Sequence, residues 1–149
     1  MPARMQSPPR EEVLDVDTPS VFLTCAPGTL PPEDRKSIGP AGDRLQSGDN
    51  ELNIPRSAVP VARPFTFEQE PRDRVGVTVN RQVPPVHFAT SAILFIDFSR
   101  CRDSDIGNVD WHVWRMDSTG LRGQKLRTWL AGRRAMTFID GTSVYMIAN

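Results

Sequence analysis

A chain of 149 residues with 38% apolar content can bury one modest core, the size of a single domain. Acidic and basic side chains number 18 each, so average charge selects no partner. Fourteen prolines and ten glycines disfavour a helical bundle, since neither residue suits a helix interior. No stretch approaches the roughly 20 apolar residues of a membrane-spanning helix. The opening Met1-Pro2-Ala3-Arg4 also lacks the apolar run of a secretory leader. These features predict an intracellular protein without a transmembrane segment.

The averages conceal an asymmetry. Every proline lies at or before Pro85. Residues 1–70 carry a net charge of −4, and residues 71–149 carry +4. Residues 1–18 read as a mobile arm, with mixed charge and too few apolar groups to offset ordering entropy. Val21-Phe22-Leu23-Thr24-Cys25, bounded by Pro19 and Pro27-Gly28, has the punctuation of a strand. Residues 26–50 hold four prolines and four glycines and read as a long mobile loop.

From Leu52 the pattern changes, and the main core is expected over 52–149. Ala58–Phe67 alternates, but Pro60 and Pro64 make it an edge strand or a polyproline-like run. Val75, Val77 and Val79 predict a strand. Val86–Phe98 is the strongest strand, and its centre Ile93-Leu94-Phe95-Ile96 predicts cover on both faces. Val109–Met116 places an indole on each face, Trp111 on one and Trp114 on the other. Leu126, Trp129 and Leu130 fall at helical spacing before Gly132, which predicts one short helix over 121–131. Met136–Ile139, Asp140-Gly141 and Thr142–Ile147 read as a two-residue hairpin. The whole is a mainly β, single-domain, sandwich-like fold over 19–149.

Catalytic and metal chemistry find little support. Cys25 and Cys101, without a secretory leader, read as two free thiols. With His87 and His112 they make a zinc inventory, but the paired spacing of a zinc site is missing. Asp103-x-Asp105 with Asn108 and Asp110 fails a calcium loop at its decisive positions and reads as a turn. Nucleophile elbows and phosphate-cradling loops are absent. The sequence therefore predicts no enzyme, no metal and no cofactor.

Most functional content lies in residues 115–134. Arg115, Arg122, Lys125, Arg127, Arg133 and Arg134 face one acid, Asp117, with Trp114 and Trp129 interleaved. Cations next to an indole suit an anionic membrane or nucleic acid. The candidate anionic-surface site is thus Arg115, Arg122, Lys125, Arg127, Trp129, Arg133 and Arg134. The alternative is that Trp129 packs inward with Leu126 and Leu130 while the arginines form a solvated face.

A proline-led apolar strand at 19–25 is followed by the tetrapeptide Leu52-Asn53-Ile54-Pro55 and a valine-rich strand at 75–79. Next come the long strand ending in Ile96-Asp97-Phe98 and a strand carrying Arg115. This order resembles the small matrix proteins of non-segmented negative-strand RNA viruses, of the bornavirus and nyavirus kind. The resemblance implies a β-sandwich that self-associates beneath an envelope. It also implies that a basic surface, here 115–134, contacts phospholipid and ribonucleoprotein. The chain departs from it in lacking Pro-Pro-x-Tyr and Pro-Thr-Ala-Pro budding motifs and in its zero net charge. The expected function is a structural, self-associating protein with a basic face. The alternative is a monomeric β-module that takes a peptide or protein partner at the proline-interrupted edge 58–67.

Overall fold

The computed structural model describes residues 9–80 and 84–149. Alternating side chains build two antiparallel sheets packed face to face. In the seven-stranded sheet the order is β1 (Val13–Asp17), β9 (Gly123–Leu126), β8 (His112–Met116), β12 (Val144–Ala148), β6 (Gly76–Val79), β5 (Arg63–Gln69) and β2 (Asp34–Ile38). The five-stranded sheet runs β10 (Trp129–Ala131), β11 (Arg134–Gly141), β7 (His87–Asp97), β4 (Asn50–Ile54) and β3 (Asp43–Ser47). Between them lies the core: Phe65, Phe67, Val77, Val113 and Ile147 from one sheet meet Leu52, Phe88, Leu94, Ile96 and Ile139 from the other. The sandwich and the strands at 75–79, 86–98 and 109–116 agree with the sequence.

Several expectations need correction. The described part of the arm is not free, because β1 pairs with β9; residues 1–8 lie outside the described residues. The 26–50 segment is no loop. It forms β2 and β3 and sends Ile38 and Leu45 into the core. Its glycines conceal this: Gly42, at φ +72°, turns the chain from β2 into β3, and an added Cβ would lie 2.4 Å from the Ile54 carbonyl oxygen. Residues 21–25 run extended, as expected, and wedge between the end of β12 and residues 73–75.

The proline-interrupted segment is not an edge either, since β2 covers β5. Inter-strand donors alternate in direction along an antiparallel strand. The Thr66 N–H, on the same side of β5 as the donor Pro64 lacks, goes to Asn80 Oδ1 at 2.8 Å. The missing donor therefore falls away from β2, and pairing with β2 survives.

No helix forms over 121–131. Leu126 points into the core from β9, whereas Trp129 belongs to β10 of the other sheet. Thr128 holds the crossing, accepting from the Val113 N–H at 2.8 Å and donating to the Leu126 carbonyl at 2.9 Å. Gly132, at φ +60°, begins the two-residue turn between β10 and β11, a position that favours glycine. The short helix is instead α1 (Asp103–Ile106), in the segment read as a turn.

The Asp140-Gly141 hairpin is also overturned, because β11 pairs with β7 while β12 pairs with β6 and β8. Gly141 serves a close approach: an added Cβ would lie 2.7 Å from the Val86 carbonyl oxygen. Cys25 and Cys101 are not free thiols but a disulfide with Cα atoms 5.1 Å apart. It joins the 21–25 wedge of the seven-stranded sheet to the segment that follows β7.

Candidate functional site

The residues of the predicted basic site are dispersed. Arg115 lies on the inner side of β8, in register with Tyr145 and Gln124. Lys125 is on the opposite face of that sheet, opposite Trp114. Arg122 is exposed ahead of β9, while Trp129, Arg133 and Arg134 belong to the β10–β11 hairpin of the other sheet. Four of the six cations have acidic partners. Arg115 pairs with Glu11 at 2.8 Å, Arg127 with Glu12 at 2.9 Å and Arg134 with Glu51 at 3.6 Å, and Arg133 pairs with Asp103. Two of these acids come from the acidic N-terminal segment, which places sequence-distant opposite charges together. Among the described residues, Arg122 and Lys125 form no ion pair.

Around Arg115 a polar network closes one side of the sandwich. Arg115 donates to Glu11 and to Gln124. The Glu11 N–H reaches Ser91 Oγ at 3.1 Å, and that hydroxyl donates to Asp140. The network thus links the arm and the seven-stranded sheet to β7 and β11. Tyr145 is fully buried and donates to the Gly141 carbonyl at 2.5 Å. Burial pushes its phenol well above the usual range, with the Glu11 charge adding to the shift. Burial also raises the Glu11 carboxyl, helped by Asp140 and opposed by Arg115 and His87. Among the described residues its Oε1 is buried without a hydrogen-bond partner. Tied to both sheets, this network is a clamp on the arm.

The feature with most binding character is the outer face of the five-stranded sheet. Register aligns Ile93 with Phe138, Phe95 with Met136 and Met136 with Trp129. The five side chains form one apolar surface, half-buried except for Trp129, which is 44% exposed. The Trp129 and Phe138 rings meet edge to face at 5.7 Å, and the Arg134 guanidinium sits 4.0 Å over the Phe95 ring. Glu51 pairs with both Arg44 and Arg134 along its border. One carboxylate thus meets two guanidiniums on this face.

Of the predicted site residues, Trp129 and Arg134 belong to this surface. Sequence reasoning missed Ile93, Phe95, Met136 and Phe138 as surface groups. The signal was the apolar character of both parities in 93–96, read as two covered faces. Only the Leu94 and Ile96 side is fully buried. Ile54 and Leu52 of the Leu52-Asn53-Ile54-Pro55 tetrapeptide are core residues of β4, with Asn53 directed outward.

The zinc inventory is consumed by the disulfide, and among the described residues no three His, Cys, Asp or Glu side chains are grouped to hold a metal. No helix among them is long and apolar enough to cross a membrane. A scan against protein-family models finds no match, and a search of curated proteins finds no relative.

Proposed function

We propose that this protein is a non-catalytic, self-associating structural module whose copies join through β10 and the aromatic face beside it. The edge composition carries the reading. Four strands end the two sheets. β1 carries Asp15 and Asp17, β2 carries Asp34, Arg35 and Lys36, and β3 carries Asp43 and Arg44. Charge on an edge strand blocks pairing with another chain. β10, Trp129-Leu130-Ala131, has none. In a two-fold antiparallel pairing Leu130 meets Leu130 and Trp129 meets Ala131. This doubles the five-stranded sheet and makes its aromatic surface continuous across two copies.

Size exclusion with light scattering tests the proposal on wild type and Leu130→Lys. The expected result is a dimer or larger species that the lysine turns into a folded monomer. A monomeric wild type, or an oligomer indifferent to Leu130→Lys, overturns it.

The matrix-like form of the proposal adds an anionic surface, supported by the unpaired Arg122 and Lys125. It predicts salt-sensitive binding to acidic liposomes or RNA. That binding should be lost when Arg122, Arg127, Arg133 and Arg134 are all changed to Glu. Unchanged binding would remove the assignment of those residues.

A further inference from the structure

The outer face of the seven-stranded sheet carries a separate cleft of about 490 Å³. Its floor is Thr78, Met116, Val144 and Met146. Two glycines make room for the sulfurs. An added Cβ at Gly76 would lie 2.4 Å from Met146 Sδ, and one at Gly123 would lie 3.0 Å from Met116 Sδ. The thioethers thus lie low over neighbouring strands, a soft and adaptable surface.

The two ends of the cleft differ in chemistry. Asn80 lines one end and is only 7% exposed. Its backbone N–H goes to the Thr66 carbonyl at 2.9 Å, and its Oδ1 accepts the Thr66 N–H at 2.8 Å. The amide is therefore held in one orientation, and Nδ2 is buried without an acceptor among the described residues. Leaving such a donor unpaired is costly.

Arg72 and Arg74 line the other end. Arg72 pairs with Glu70 at 2.8 Å, whereas Arg74 sits 4.0 Å over the Phe22 ring. Among the described residues Arg74 has no acidic partner. From Arg74 to Asn80 an extended chain covers about 20 Å, the span of six strand residues.

We infer that this cleft binds an extended peptide about six residues long. One of its carbonyls accepts from Asn80 Nδ2, alternate apolar side chains rest on Met116 and Met146, and an acidic residue meets Arg74. Length and end chemistry favour a peptide over a single acyl chain, which offers no acceptor to Asn80 when its carboxylate is at Arg74.

Panning a randomised hexapeptide phage library on the full chain tests this, with Val144→Trp to fill the cleft and Arg74→Glu to reverse one end. Thermal melts establish that both variants fold. Enriched peptides should carry an acidic residue at one end and alternating apolar residues. They should bind Val144→Trp at least roughly tenfold more weakly, and Arg74→Glu should select basic ends instead. In methyl spectra they should shift Met116 and Met146 and leave Met136, on the other sheet, unmoved. No enrichment, or equal binding to folded Val144→Trp, overturns the inference. So does a cleft that enriches no peptide but whose methionine methyls shift with decanoate, which would make it a lipid site. Neither result depends on the oligomeric state.

Discussion

The two sheets differ in how they treat the side chains on their outer faces. On the seven-stranded sheet, Trp114, Met116 and Met146 are each at most 4% exposed, with Phe22 and Val144 packed against them. On the five-stranded sheet, Phe95, Met136 and Phe138 stay half-buried and Trp129 stands open. One face packs its large side chains against one another and against Phe22, with a cleft over Met116 and Met146; the other has only its neighbours and Arg134. Phe22 of the wedge segment serves only the seven-stranded side, and the uncovered side is where a second molecule gains most from burial.

Cutting the covalent tie should blur this contrast most. Cys25 ends the wedge that carries Phe22, and the bridge closes a loop with a sequence separation of 76 residues. Reduction, or Cys25→Ala with Cys101→Ala, should cost about 4 kcal/mol in urea unfolding. Amide exchange should rise at residues 21–25 and across β12 before it rises in β7.

Next in size, Trp114→Ala should cost about 3 kcal/mol by leaving a cavity in the packed outer cluster. Trp129→Ala should cost about 1 kcal/mol, the worth of its ring contact with Phe138, while weakening self-association. Equal losses at the two indoles would erase the distinction between the faces.

The clamp between the sheets gives a smaller, pH-dependent effect. Arg115→Met leaves Glu11, whose side chain is 5% exposed, without its cation. A loss of about 2 kcal/mol at neutral pH is expected, discounted because Arg115 is 27% exposed. Glu11 also sets a sign. Its carboxyl is raised above the ordinary 4.5, so the folded state holds that proton more tightly than the unfolded chain does. Its contribution is therefore fully present below 4.5 and is lost as pH rises through the raised folded value. Relative to Glu11→Gln, wild type should gain stability as pH is lowered from neutral toward 4.5, measured by urea melts. A gain in the opposite direction would contradict the burial of Glu11.

The sheets were legible where period two was clean, as at Val75–Val79 and Trp111–Trp114. They were illegible where strand formation depends on a distant partner. Asp34–Ile38 is polar and becomes a strand because β5 offers it donors and acceptors. The helix reading of 121–131 failed because Leu126 and Trp129 serve different sheets, and their spacing matches a helical face by accident of the crossing at Thr128.

Charge patterning misled in a related way. Glu11, Glu12 and Glu51 neutralise Arg115, Arg127 and Arg134 across separations that sequence cannot connect. The aromatic face was half visible. Its residues stood out in 93–96 and 136–138, but which parity faced the core followed from pairing.

The most direct test of self-association by the five-stranded sheet is methyl NMR of the methionines as protein concentration is raised roughly a hundredfold, so that mass action populates the assembled form. The proposal predicts that Met136 shifts progressively while Met116 and Met146, on the other sheet, stay fixed. A stationary Met136, or concentration-dependent shifts confined to Met116 and Met146, would contradict it.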